Sequence, residues 1–315
     1  MKIIKGESNW EISENLCITI GTMDGVHLGH QAILKTLRDK ASATNSKTAL
    51  ITFKPHPRKV LKNDNVELLT LFDEKVDILK FTELIDYLII FEFTREFASL
   101  DAEDFIKLVT SKAPVKCIIL GYDNHFGKNR SGNFDWLKQY GETHKIDIFK
   151  VEAVTSGNEK ISSSVIRNLI KNCNLKKAAK FLGYNYFVTG TVGKGKNIGN
   201  TIGFPTANLE FDKDKLLPPS GIYAGIACYK EQTYPAAINI GYNPTVSSDK
   251  VLKTEVHLIG FNGDLYGEKL RVIFIEKIRD EKKYDTLDEL KSAISADIKK
   301  VKRLVSEVKV NCFGL

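Results

Sequence analysis

Two histidines three residues apart, His27 and His30, close the run GTMDGVHLGH that opens at Gly21. On one helical turn residues so spaced face the same way. Both imidazoles could then donate hydrogen bonds to one phosphate chain and stabilise charge as pyrophosphate departs. Gly21 and Gly25 let the backbone turn sharply and approach a ligand closely. A helix opening at this point offers free N–H groups and a positive dipole end to phosphate. The bland reading is a strand–helix turn with incidental histidines; the glycines and the preceding apolar strand favour the site.

A second piece is ISSSVIR, residues 161–167. Its serines can cap a helix, and Arg167 on the first turn presents a planar fork to phosphate oxygens. By itself it is an ordinary capped helix. GYDNHFG (121–127) and TFKPHP (52–57) are polar loops after apolar runs, suited to binding but unspecific alone.

The second half carries a different chemistry. GTVGKGKNIG (190–199) is glycine-rich and basic, and lacks the GK[ST] spacing of a Walker A loop. It offers backbone N–H groups with Lys194 or Lys196 to phosphates. Thr206 and Asn208, two apart on an extended segment, point to one side. A hydroxyl and an amide oxygen are hard donors suited to Mg²⁺. Glu255 sits within the strand-like KTEVHL, residues 253–258. A carboxylate on a half-buried strand either pairs with a lysine or takes a proton from an attacking hydroxyl.

The elements that must position these residues change character along the chain. Strand-like segments at 16–20, 48–53, 86–91 and 115–120 alternate with helix-like ones at 27–41, 73–83 and 101–109. That alternation predicts a parallel sheet covered by helices, with ligands at the carboxyl ends of the strands. A helix at 176–182 ends on Gly183. Strand-like runs at 186–192, 222–229, 233–240, 254–261 and 270–275 follow, then an amphipathic helix at 286–305. That half predicts a small antiparallel barrel or sandwich closed by a terminal helix. The boundary is set at 183/184, giving domains 1–183 and 184–315.

The 315 residues suffice for two cores, and 43% hydrophobic with 27% charged residues is a globular balance. A net charge of +7 favours anionic partners, although lysine-rich surfaces also serve solubility. No aromatic-basic motif suggests nucleic acid. No apolar run reaches the roughly 18 residues of a membrane span. Five cysteines, far apart and without a CxxC pair, make neither a zinc site nor a disulfide framework expected. With no signal-peptide pattern, a cytoplasmic location is expected.

GTMDGVHLGH, TFKPHP, GYDNHFGKNRSG and ISSSVIR, in that order, resemble the adenylyltransferase module of the prokaryotic bifunctional riboflavin kinase/FMN adenylyltransferase (FAD synthetase) family. GFPTANL, LPPSGIYAG, INIGYNPTV, TEVHLIGFNGDLYG and IRDEKKYDTLDELKSAI resemble its kinase module. The resemblance implies a nucleotidyltransferase-type α/β domain followed by an antiparallel β-barrel domain with a C-terminal helix. It implies phosphorylation of riboflavin to FMN and adenylylation of FMN to FAD, with ATP as co-substrate and Mg²⁺ as cofactor. It places Gly21, Thr22, Asp24, Gly25, His27, His30, Asp123, Ser163, Ser164 and Arg167 at the adenylyltransferase ATP. Gly193, Lys194, Gly195, Gly203, Pro205, Thr206 and Asn208 fall at the kinase ATP, the last two as Mg²⁺ ligands. Asn124, Phe126, Arg279 and Glu281 fall at flavin. Glu255, His27, His30 and Arg167 carry the catalysis, Glu255 as the base. Riboflavin, FMN and ATP are the implied partners, with no nucleic acid or membrane expected and room for weak self-association. Thr22-Met23, His125 and Asn200 depart from the family's common residues. The rivals are an enzyme with one live domain and a basic nucleic-acid-binding or regulatory protein on the same fold.

Overall fold

The computed structural model describes residues 1–7, 10–62, 66–195, 202–242, 252–308 and 311–312. Lys196 and Asn200 lie outside the described residues. Contacts group Met1–Ser163 as one unit and Ser164–Leu315 as a second.

The first unit is built on a six-stranded parallel sheet: β1 (Lys2–Lys5), β2 (Leu16–Ile20), β3 (Lys47–Lys54), β4 (Tyr87–Glu92), β5 (Val115–Gly121) and β6 (Asp147–Val151). All five residues of β2 are buried, as a central parallel strand covered on both faces requires. α1 (Leu28–Ala43) buries Ile33, Leu34, Leu37 and Ala41, the stripe its period predicts. α3 (Phe72–Thr82) follows a short α2 (Pro57–Lys62), and α4 (Ala102–Thr110) is capped by Asp101, which accepts from Asp104 N at 2.9 Å. α5 (Phe134–His144) leads into β6.

Strand order is β1-β4-β3-β2-β5-β6. The chain runs outward from β2 through β3 to β4, then returns to place β5 on the other side of β2. The order therefore reverses at β2, and at such a switch point ligands bind outside the carboxyl ends of the strands, here those of β2 and β5. The loops starting at Gly21 and Gly121 leave from those two ends.

The cysteine expectation is corrected here. Cys17 and Cys117 are register partners on β2 and β5, with Cα atoms 4.6 Å apart, and their sulfurs are joined in a disulfide. Strand pairing makes neighbours of residues a hundred positions apart, which counting spacings cannot detect. Cys173, Cys228 and Cys312 are free thiols.

Between the sheet and the barrel come a two-stranded ribbon, β7 (Thr155–Ser156) and β8 (Glu159–Lys160), and helices α6 (Ser163–Lys171) and α7 (Leu175–Leu182). Gly183 caps α7 with φ +83°, a conformation that favours glycine. The barrel strands are β9 (Phe187–Gly193), β10 (Ala207–Glu210), β11 (Gly221–Tyr229), β12 (Gln232–Tyr242), β13 (Leu252–Leu258) and β14 (Lys269–Arg279). They close in the order β10-β13-β12-β11-β14-β9, every pair antiparallel. Of the barrel and the sandwich, the structure is the barrel.

α8 (Leu287–Ser306), capped by Thr286, packs on β11, β12 and β14. It is fastened by a forked pair: Arg279 Nε and Nη2 donate to the buried Asp297 carboxylate at 2.8–3.2 Å. Asp297→Ala leaves a half-buried guanidinium unpaired. It is expected to cost roughly 2–3 kcal/mol, less than for a fully buried pair, and to lower the melting temperature of the barrel.

Candidate active sites

In the first unit the segment after β2 folds into a tight turn. Met23 and Val26 adopt φ of +46° and +35°, and Gly25 +84°. Asp24 is nearly fully buried, and its carboxylate accepts from Leu69 N, Thr70 N and Thr70 Oγ1 at 3.0–3.3 Å. Its carboxylate thus shapes the turn. Gly25 N donates to Thr70 Oγ1, and Ser163 Oγ donates to Asp24 O at 2.9 Å. Ser163, expected at ATP, reaches the turn through its hydroxyl.

His27 is the N-cap of α1, its Nδ1 accepting from His30 N at 3.4 Å. The two rings stack with centroids 3.7 Å apart. A side chain on Gly29 would press on the His27 ring at 3.1 Å, so the glycine keeps room for the stack. His30 Nδ1 is shielded from solvent and has no hydrogen-bond partner among the described residues. Burial, then the neighbouring charges of His27 and Lys75, hold His30 well below the usual histidine range, so its imidazole is neutral at pH 7.

The loop after β5 is partly structural. Asn124 Nδ2 donates to Ile20 O at 2.8 Å and clips the loop to the end of β2. Phe126, expected at flavin, is buried between Phe105 and Trp136 with Gly132 against its ring. Its ring supports the loop. Asp123 is exposed. Half-exposed aromatic surface lies instead at the carboxyl ends of β3 and β4, where Phe53, Phe93 and Phe97 stand 5.5–5.9 Å apart. Sequence reading missed this trio, whose members are scattered along the chain. Ser164 and Arg167 lie on α6, in the second unit.

In the second unit one row of cross-strand partners carries the polar residues. Asn208 on β10 pairs with Glu255 on β13, and Glu255 with Asn239 on β12. Their neighbours Ala207, Leu209, Thr254, Val256, Ile238 and Ile240 are buried, so the three polar side chains share the outer face. Glu255 is half-buried and makes no hydrogen bond or ion pair among the described residues. The lysine partner of the bland reading is therefore lacking there. Asn239 Oδ1 is buried without a partner among the described residues. Sequence reading did not single out Asn239; its register to Glu255 is the signal.

The PTAN segment is tied to this row. His257 Nδ1 donates to Pro205 O at 2.7 Å, and the Phe204 ring meets the His257 ring edge-on. Gly203 takes φ +85°. The Asn208 side-chain amide lies against the Gly195 backbone, where any Cβ would collide with it. Gly193 pairs with Asn208 in register. Lys194 is exposed, its Nζ 5.7 Å from the Tyr266 ring centre. Asn208 Oδ1 and Asn239 Oδ1 are neutral, hard donors on strands flanking a carboxylate, with the Thr206 hydroxyl two residues before Asn208, a set that fits Mg²⁺. Arg279, expected near flavin, is held by Asp297, and the exposed Glu281 carboxylate lies over Gly241.

A family model described as FAD synthetase matches residues 10–165, and one described as riboflavin kinase matches residues 182–305. The chain is 37% identical to a protein of Buchnera aphidicola subsp. Schizaphis graminum named bifunctional riboflavin kinase/FMN adenylyltransferase, over 96% of this chain and 98% of that one. It is 35% identical to the Escherichia coli K12 protein of the same name, over 94% and 96% of the two chains. It also resembles a solved structure titled a macrolide-efflux protein from Streptococcus pneumoniae, with TM-score 0.86, 29% identity, and 95% and 98% coverage. That title describes the pneumococcal protein; no helix among the described residues here is long and apolar enough to cross a membrane.

Proposed function

Since the chain belongs to the bifunctional riboflavin kinase/FMN adenylyltransferase family, we propose how its two units divide that work among named residues. The enzyme phosphorylates riboflavin to FMN with ATP, then adenylylates FMN to FAD with a second ATP, releasing pyrophosphate.

The barrel is the kinase. The terminal ribityl hydroxyl of riboflavin attacks the γ-phosphorus, the bond to the β,γ-bridging oxygen breaks, and Glu255 takes the hydroxyl proton. The observation that carries this assignment is Glu255 itself, a half-buried carboxylate between two asparagines with no cationic partner among the described residues. Asn208 and Thr206 would hold Mg²⁺, which when bound neutralises charge on the phosphates of ATP. Gly193, Lys194 and Gly195 line the phosphate side, the glycine letting backbone lie against Asn208. His257 fixes the PTAN segment through Pro205 O.

The first unit is the adenylyltransferase. An FMN phosphate oxygen attacks the α-phosphorus of ATP and pyrophosphate leaves. No protein nucleophile is needed. His27 and His30 donate hydrogen bonds to phosphate oxygens whose charge grows in the transition state. The Phe53, Phe93 and Phe97 surface suits the isoalloxazine ring.

Incubation with riboflavin and Mg–ATP, then separation of riboflavin, FMN and FAD, tests the assignment. FMN should appear first and FAD after it; absence of either product removes that unit's activity. The proposed boundary has its own test. A fragment of residues 184–315 should phosphorylate riboflavin alone. It should melt below a fragment of residues 164–315. The longer one keeps α7, which packs on β14 and carries the Lys176–Glu276 ion pair. A folded but inactive shorter fragment would move the boundary toward Ser164.

A further inference from the structure

α3 buries a lysine directly beneath the turn that presents the two histidines. Lys75 is 6% exposed, and its hydrogen-bond partners are neutral oxygens: Thr22 O at 3.0 Å and Thr52 Oγ1 at 3.2 Å. These two oxygens belong to the turn after β2 and to β3. One ammonium thus ties the start of the GTMDGVHLGH turn to the neighbouring strand. A buried cation is costly unless something offsets its charge. Asp24 interacts favourably with Lys75, but the Asp24 carboxylate is already hydrogen-bonded to the 69–70 backbone. Lys54 from β3 adds like charge, while the lowered His30 on α1 is neutral and adds none. Glu74, next to Lys75 on α3, is turned back to cap Leu71 N. Asp24 therefore offsets only part of what burial and Lys54 impose on this ammonium.

We propose that Lys75 is a positioning residue for adenylyl transfer, its ammonium holding the Thr22 carbonyl and supplying fixed positive charge beneath the bound polyphosphate. The inference rests on reading the first unit as the adenylyltransferase. Lys75 touches the backbone of the turn and acts on the phosphates through that turn and through its field. A low-dielectric surround makes such a charge effective without direct contact. Burial, offset in part by Asp24 and reinforced by Lys54, lowers its pKa to about 8. Above that pH the ammonium loses its proton, and the field it supplies is lost. An anion docked above the turn favours the charged form, so phosphate binding and Lys75 protonation support each other.

The test measures FMN-to-FAD conversion by the full-length enzyme from pH 6.5 to 9.5, with riboflavin phosphorylation in the same samples as control. Wild-type kcat/KM for ATP should decline on the alkaline side. Lys75→Met should be lower on the order of 10-fold at pH 7, lack that decline, and converge with wild type near pH 9.5. Lys75→Arg keeps a charge that does not titrate and should show no alkaline decline, whatever its level. Curves for wild type and Lys75→Met that stay a constant factor apart, or coincide, would overturn the proposal. So would a Lys75→Arg profile that falls as wild type does. The kinase control should be unchanged in both variants. If wild type itself makes no FAD from FMN, the reading of the first unit fails instead, and that outcome also removes the role of Lys75.

Discussion

Glu255→Gln is expected to slow riboflavin phosphorylation by ~10²–10⁴-fold, the usual worth of a positioned general base. A primary hydroxyl is a poor nucleophile until its proton has somewhere to go. Glutamine keeps the shape of glutamate and its place between Asn208 and Asn239, but cannot accept the proton. ATP and riboflavin affinities should change little, and FMN adenylylation should be untouched, because it belongs to the other unit. The measurement is kcat together with the melting temperature on one preparation. Were Glu255 structural, the variant would lose thermal stability and keep its turnover. Among the described residues Glu255 has no ion pair to lose, so the melting temperature should hold within about 2 °C, as for substitutions near neutral in stability. A stable variant with near-normal kcat would remove Glu255 from the mechanism.

The second large effect concerns the stacked histidines. His27→Ala with His30→Ala should abolish FMN-to-FAD conversion. Loss of even one preorganised donor to developing charge costs ~10²–10³-fold. Riboflavin phosphorylation should survive as the internal control. His30 is held well below the ordinary histidine range by burial, His27 and Lys75, so it works as a neutral donor. Wild-type adenylylation should therefore show no fall as pH rises from 6 to 7, the interval in which an ordinary histidine loses its proton. A variant that loses both activities while folded would contradict the assignment of one reaction to each unit.

Much of the architecture was legible because local chemistry agreed with it. The apolar run Leu16–Ile20 is β2 residue for residue, the helices expected at 101–109 and 286–305 form as α4 and α8, and Gly183 ends α7. The pairing His27/His30 was readable from spacing, although that His27 is itself the helix cap was not. What sequence could not give depends on which distant strands become neighbours. Asn239 matters only because β12 lies beside β13 in a register that sets it against Glu255. The Cys17–Cys117 bond has the same origin in the β2–β5 pairing. Lys75 sits on a charged helix and reads as a solvated side chain until the end of β3 that it covers is in place. Phe126 shows the converse: an aromatic in a polar loop invites a ligand role, and its ring is packed into the core beneath that loop, a placement the sequence did not show.

The row Asn208–Glu255–Asn239 also limits how this kinase could be altered. Sliding β13 by one residue would turn Glu255 into the apolar interior and push Thr254 or Val256 outward. In an open sheet an edge strand can adjust, but a closed barrel has no free edge, and one slip must be matched by every strand around it. Single-residue insertions or deletions within β10, β12 or β13 should therefore abolish folding and phosphorylation together. Variation in acceptor preference has to come from connecting loops or from exchanges at fixed positions. For an engineer, the strands are the part to leave alone, and libraries belong in the turns.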